Sequence, residues 1–418
     1  MGFADTYFRR FRVSPLMSVQ LPPINADVVV VIPACNEPLL LNTLNCFLRQ
    51  RNANCKTLVL IVVNHSVDAP DQVKKQNQQT YNDVLQFAVN HSGPDMHFTA
   101  CMLADVPHKT SGVGLARKSG MDDALRIFDA CGRNDGLLIS LDADCEIDEN
   151  YLKSIVDFFD SHPRIQAATL YFEHPVSGEE FSPEIYEAAA AYELHVRYFR
   201  LGLAYAGYPH PIHTVGSCFA LRASAYAAAG GMNTRQGGED FYFLHKLTAF
   251  TEIPCIAGTC VHPSPRISDR VPFGTGPAVK LAVEKGMQTT YHPQLFAIMK
   301  GFFACFPQWL TATPDEVLSG IAGLDEHLIA YCKKITFLEI VENCQRNTST
   351  REAFLKRMFR SFDAFRLIRF LNEAPEYRFP RVPVTEAASA LLKEAGCQSV
   401  QADMPELLEF FRRIDRPL

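Results

Sequence analysis

Four short apolar runs, Val28–Ile32, Leu58–Val63, Phe98–Leu103 and Gly136–Leu141, divide the first third of the chain and limit its fold more than any other feature. Each is strand-sized and rich in β-branched or aliphatic residues. Stretches with helical spacing stand between them. Leu39–Leu48 follows the first run, and a segment with Leu115, Ala116, Ala124, Leu125 and Phe128 on one face precedes the fourth. A strand that is apolar throughout must be covered on both faces, so strands of this kind alternating with helices predict an α/β, Rossmann-like, mostly parallel sheet. Ligands of such sheets bind outside the carboxyl ends of the strands. Pro33–Glu37, Asn64–Ser66 and Asp142–Asp144 each follow a run, which places them on one rim.

Residues 181–207 are helical in pattern, Ser217–Leu221 is a short strand, and Ala223–Ala229 is a short helix closed by Gly230 and Gly231. Val261-His262-Pro263 ends a strand that starts near Cys255, and Asp148 is read as the N-cap of a helix over Tyr151–Phe159. From about Tyr291 helical periodicity dominates. The expected division is therefore an α/β domain over 1–290 and a helical C-terminal region over 291–418. Within the latter, Arg351–Leu371 sets six basic residues against two acidic ones around Phe354, Met358, Phe359, Phe362 and Phe365. Core packing with a solvated basic face is the favoured reading, and contact with anionic lipid or a phosphorylated acceptor is the alternative.

Composition excludes several classes. A net charge of −6 gives no overall reason to expect nucleic acid binding. No run reaches the roughly 18 apolar residues of a membrane-spanning helix, and MGFADTYFRRFRVSPLMSVQLPP lacks the apolar core of a signal peptide. The thirteen cysteines form no CxxC pair, and several lie in apolar runs, as Cys101 and Cys218 do. They read as reduced thiols of a cytoplasmic protein, with peripheral contact at the inner membrane face left open.

Asp142-Ala143-Asp144 carries the chemistry. Two carboxylates two residues apart at a strand end suit a hard divalent cation, Mn²⁺ or Mg²⁺, that keeps positions open for diphosphate oxygens. The accompanying segments then complete a pattern. Ile32-Pro33-Ala34-Cys35-Asn36-Glu37, Asn64-His65-Ser66, Gly112-Val113-Gly114-Leu115-Ala116-Arg117-Lys118-Ser119-Gly120, the D-x-D and Gly238-Glu239-Asp240 together resemble, in order and spacing, family 2 glycosyltransferases. The resemblance runs from about Val28 to His262. It implies a GT-A fold over 1–290 and transfer of a sugar from a nucleotide diphosphate donor to an acceptor hydroxyl with inversion.

On that resemblance Pro33, Asn36, Glu37, Asn64, Arg117 and Asp142 bind the donor. Pro33 turns the chain toward the nucleoside, Glu37 and Asn64 meet ribose or base, and Arg117 grips phosphate with Gly112 and Gly114 permitting close approach. Asp144 and His262 hold the metal, with His210 and His213 as rival histidines. Asp240 is the general base and Glu239 a sugar contact, although both also suit a helix N-terminus. Arg266 and Arg270, beside Phe273-Gly274-Thr275-Gly276, either close over the diphosphate or are solvated loop charges. The expected partners are the nucleotide sugar and a glycan, lipid-linked or small-molecule acceptor. Alternatives are a non-catalytic sugar-nucleotide-binding protein and a retaining transferase acting on a small acceptor. A sugar-nucleotide pyrophosphorylase would need a glycine-rich loop, which Val28–Glu37 lacks.

Overall fold

A computed structural model describes residues 2–11, 25–286, 288–397 and 403–416. Residues 12–24, which belong to the stretch read for a leader, lie outside them. The chain forms two compact units. One comprises Met1–Ala189, Thr214–Glu284 and Asp415–Leu418, and the other Ala190–His213 and Lys285–Ile414.

The first unit is built on an eight-stranded sheet of β1 (Val28–Ala34), β2 (Thr57–Ser66), β3 (Met96–Val106), β4 (Leu137–Ser140), β5 (Cys145–Ile147), β6 (Ala167–Phe172), β7 (Phe219–Arg222) and β8 (Cys255–Pro263). Its order is β3-β2-β1-β4-β7-β6-β8-β5. The first four strands in that order are mutually parallel, and β7 enters antiparallel to both β4 and β6. The α/β fold expected from the apolar runs is therefore present. Every residue of β1 and β2 is buried, and each fully buried valine contributes roughly 1.5–3 kcal/mol of apolar transfer energy. That burial requires cover on both faces. Helix Val113–Ala130 supplies part of it, with Gly120 lying so close to Val31 and Val62 that a Cβ there would collide with both.

Several local readings differ from the structure. Asn64-His65-Ser66 does not follow β2 but completes it, because β3 runs alongside as far as Val106 and extends the ladder through a bulge. Pro33 likewise lies within β1, beyond its last pairing with β4 at Val31↔Ser140, where its missing N–H costs little. Asp148 does not cap the Tyr151–Ser161 helix, whose N-cap is Asn150. Its carboxylate instead accepts the Cys260 N–H at 2.9 Å, tying β5 to β8. A Gln/Asn-rich stretch, Lys74–Asn82, lies within a 21-residue helix, Asp71–His91. Amide bonds at i,i+4 run along it, including Gln78 to Asn82 at 3.1 Å and Gln79 to Asp83 at 2.7 Å.

The second unit is helical apart from a two-residue antiparallel pairing of Thr289–Thr290 with Val382–Pro383. Four of its helices start at side-chain caps. Thr313 and Glu316 make a capping box, and Asp325, Thr350 and Asp363 each accept backbone N–H groups. The Asp363 cap splits the basic segment into Arg351–Ser361 and Ala364–Asn372. Phe354, Met358 and Phe362 are buried while Arg351, Lys356, Arg360 and Arg369 are exposed, so the core-packed reading holds. Phe302 anchors the interior, 5.0 Å from Phe337 and 5.1 Å from Phe306 between ring centroids. Among the described residues no helix is long and apolar enough to cross a membrane.

Candidate active site

The parallel register aligns the carboxyl ends of β1, β2 and β4, and a single buried side chain fastens the first two of these ends together. Asn77, fully buried on the Asp71–His91 helix, accepts the Asn36 N–H at 2.7 Å and donates to the Asn64 carbonyl at 3.0 Å. Asn36 adopts a left-handed φ of 50°, which asparagine tolerates better than most residues. The Asn64 side chain points away from open space and donates to the Gly112 carbonyl at 3.0 Å. Pro33, Asn36 and Asn64 thus form a braced wall, in which Asn64 secures the loop before Arg117.

Arg117 is neither at the surface nor open toward a ligand. Its guanidinium is buried, paired with Glu239 through Nη1 and with Asp142 Oδ1 through Nη2 at 2.5 Å. Gly112 and Gly114 do not open space for a phosphate either. A Cβ on Gly114 would strike the Arg235 carbonyl, and one on Gly112 would press on Gln236, so these glycines admit the backbone that leads to Gly238. Gly238 itself has φ of +69° and begins helix Glu239–Leu247. Asp240 sits next to this pair, its Oδ1 accepting the Phe241 N–H at 2.7 Å. Burial raises the Asp240 pKa above the ordinary carboxylate range, opposed by Arg117 and reinforced by Asp142. Burial raises Asp142 as well, again against Arg117 and with Asp144 adding to the rise. Three acids share one cation here.

Glu37 and Asp144 form a second cluster with two arginines of the 264–274 loop. The Glu37 carboxylate is completely buried and takes both terminal nitrogens of Arg266, one at 2.9 Å, and Nη1 of Arg270 at 2.7 Å. Asp144 Oδ2 accepts from Arg266 Nε at 2.9 Å, Arg266 Nη2 at 2.7 Å and Arg270 Nη2 at 3.2 Å. Arg270 also donates to the Cys35 carbonyl and to Ser268 Oγ, both at 3.0 Å. Charge balances at two against two.

His262 is held elsewhere. Its Nε2 lies 3.0 Å from Asp148 Oδ1, and its strand register faces Glu146. Asp144 and His262 are therefore committed to different partners. No group of three or more His, Cys, Asp and Glu suited to a metal occurs among the described residues. As they stand, the side chains around Asp144 fit a divalent cation poorly, because two guanidinium groups already crowd its Oδ2 and a cation there would meet their positive charge.

Two contributors, Asn77 and Gly216, escape a reading of the sequence, as does the contact that Phe273 makes. Asn77 is hidden in a polar tract. Gly216, one of many glycines, lies against the Arg117 guanidinium and Asp240, so that any Cβ would meet Arg117 Nη2 at 2.8 Å. Phe273 lays its ring edge over Gly237 and Gly238. Arg266 and Arg270 stand out in the sequence, but only as charges able to move onto a ligand.

No family model and no curated protein matches the chain. Among solved structures it is similar to S. aureus TarS 1–349, at 13% identity and a TM-score of 0.38 over 80% of this chain and 92% of that one. It is similar to the same protein in complex with UDP-GlcNAc, at 12% identity and 0.40 over 80% and 91%. The mannosyltransferase PcManGT from Pyrobaculum calidifontis, in complex with GDP-Man and Mn²⁺, matches at 14% identity and 0.34 over 85% and 93%. Likeness at these scores carries no weight for activity, which must be reasoned from the chain's own residues.

Proposed function

We propose that this chain is a glycosyltransferase of the family 2 type, transferring a sugar from a nucleoside diphosphate donor to an acceptor hydroxyl with inversion at the anomeric carbon. One observation carries the reading. Five segments far apart in the chain meet at a single sheet rim, and Arg117 joins the D-x-D residue Asp142 to the Gly238-Glu239-Asp240 helix start. A protein that merely folded as α/β would have no need of three acids crowded around one buried guanidinium.

The division of work comes from the surroundings of each residue. Pro33, Asn36 and Asn64 wall the nucleoside side, and Glu37 acts behind them through the arginines it holds. Asp142, partly exposed beside Arg117, contacts the donor ribose or sugar. Asp240 takes the proton of the acceptor hydroxyl as its oxygen attacks from the face opposite the leaving diphosphate. A carboxylate with a raised pKa is a stronger base than an ordinary one, and desolvation gives Asp240 that property. Glu239, paired with Arg117, fixes the start of the helix that carries Asp240 and borders the sugar. The expectation of Mn²⁺ or Mg²⁺ on Asp144 and His262 would require His262 to leave Asp148 and the cation to share Asp144 with Arg266 and Arg270. The acceptor class is a sugar, lipid-linked or small-molecule hydroxyl.

The test is a panel of UDP, GDP and dTDP sugars, scored for donor hydrolysis and for saturable binding of the free nucleoside diphosphates. The released sugar should carry the opposite anomeric configuration to the donor, read by ¹H NMR before mutarotation. Absence of binding by any nucleoside diphosphate, with Mn²⁺ or with chelator, would sink the transferase reading. Retention of configuration would sink the role of Asp240 as a base acting on the acceptor.

A further inference from the structure

The Arg266–Arg270 loop is built rather than draped. Ser268 packs on Gly276 so tightly that a Cβ there would collide with it, and Lys280 holds the Asp269 carboxylate at 2.8 and 2.9 Å. Phe273 seats its far end on Gly237 and Gly238. Such fixing sets where the two guanidinium groups stand. Their side chains are only 16% and 28% exposed, so the pairing with Glu37 and Asp144 is largely shielded from solvent. Two guanidinium charges at one carboxylate equal the charge of one divalent cation.

The two arginines differ in what holds them. Arg266 spends four N–H bonds on carboxylate oxygens of Glu37 and Asp144. Removing it would leave a fully buried Glu37 short of its main counter-charge, so it stays in place. Arg270 is the more exposed, and two of its bonds go to neutral acceptors, the Cys35 carbonyl and Ser268 Oγ. A phosphate oxygen is a better acceptor than either, because both partners of the new bond are charged. Arg270 can therefore give the N–H groups now on Cys35 and Ser268 to a diphosphate that approaches its exposed edge, while keeping its carboxylate contacts.

Resting on the transferase reading, we propose that Arg270, positioned by Arg266 through Glu37 and Asp144, binds the diphosphate of the donor in the place usually given to a metal ion. Nucleoside diphosphate binding then needs no divalent cation. The D-x-D acid Asp144 serves as an anchor for guanidinium groups, and no protein ligand besides it is required.

The experiment is calorimetric titration of UDP and GDP into the full chain, in EDTA and in MnCl₂, for the wild type, Arg270→Ala, Arg270→Lys and Arg266→Ala/Arg270→Ala. Wild-type affinity should agree within about threefold between EDTA and Mn²⁺. Arg270→Ala should weaken binding in EDTA by roughly tenfold or more, the loss expected for a hydrogen bond to a charged group, and Arg270→Lys should recover part of it. Melting temperatures of both single variants should stay near that of the wild type, since Arg266 still neutralises Glu37. The double variant, with Glu37 and Asp144 released, should acquire a Mn²⁺ requirement that the wild type lacks. Binding by the wild type only in Mn²⁺, or unchanged binding by Arg270→Ala, overturns the proposal and leaves the transferase standing. Absence of binding under both conditions removes both together.

Discussion

The two charged clusters of the rim differ in their balance and in what they are mounted on. Around Arg117 three acids, Asp142, Glu239 and Asp240, face a single cation, and all sit at the ends of regular elements. Around Glu37 and Asp144 two acids face two cations, and both cations ride on a loop. The acid-rich cluster holds carboxylates above their ordinary pKa and is suited to accepting a proton. The balanced cluster has its charge neutralised and shielded, and its cations are carried by a loop rather than by a helix or strand. It is suited to exchanging one anionic partner for another. A group-transfer site needs both abilities, and here they are separated by about the width of the D-x-D.

The sharpest way to break this division is Asp240→Asn. Loss of a general base costs about 10²–10⁴-fold in turnover, and donor affinity should remain near the wild-type value because the diphosphate belongs to the other cluster. Steady-state kinetics with the active donor, together with nucleoside diphosphate titration, reads both at once. Full turnover in the variant would remove the base from this cluster. For the wild type, the raised pKa values of Asp240 and Asp142 mean that activity lost on acidification should disappear at a higher pH than an ordinary carboxylate would dictate.

Arg117→Ala attacks the stability of the acid-rich cluster rather than its chemistry. It strips the counter-charge from a buried Glu239, and breaking a buried pair in this way costs about 3 kcal/mol or somewhat more. Urea unfolding measures it. Arg117→Lys should restore only part, because one ammonium cannot face Glu239 and Asp142 together as a guanidinium does. A loss under about 1 kcal/mol would place the pair among those that contribute little.

Legibility in the sequence tracks the range of the interactions. β1, β2, β3 and β4 announce themselves locally, since burial on both faces demands runs such as Val28–Val31. The D-x-D stands out because acids at the end of such a run need a reason, and Gly238-Glu239-Asp240 stands out only through the resemblance to family 2 glycosyltransferases. What each acid pairs with is decided by tertiary approach and leaves no local trace. Arg117 suggests a phosphate grip until Glu239 and Asp142 take its guanidinium and Gly216 packs against it. Asn64 suggests a base contact, yet its amide serves the Gly112 carbonyl. Arg266 lies 229 positions from Glu37, and nothing in either neighbourhood hints at the other. His262 lies on the strand expected for it, β8, but its ring answers to Asp148, which reading as a helix cap takes out of consideration.

A smaller effect comes from the brace that both clusters share. Asn77→Ala leaves the buried Asn64 carbonyl and the partly buried Asn36 N–H without their partner, at a cost of about 1–2 kcal/mol. Because Asn36 adjoins Glu37 and Asn64 secures the loop before Arg117, the variant should lower donor affinity modestly as well as stability. Thermal melts and a donor KM test this. An unchanged KM beside the expected loss of stability would mean that the brace serves the fold alone.

The smallest effect is also the most specific. A carboxylate whose pKa is raised on folding binds its proton more tightly in the native state than in the unfolded chain. Between the two pKa values the native state holds more protons, so stability falls as pH rises through that window. Asp240 should therefore weaken the fold once pH has risen through its raised folded pKa, and not below the ordinary carboxylate value, where folded and unfolded chains both carry the proton. Asp240→Asn removes the ionisation. Its melting temperature relative to wild type should be more favourable at pH 7 than at pH 4, even as turnover collapses. A difference that runs the other way would mean that Arg117 outweighs desolvation at Asp240. The acid-rich cluster would then hold its charge as comfortably as the balanced one does.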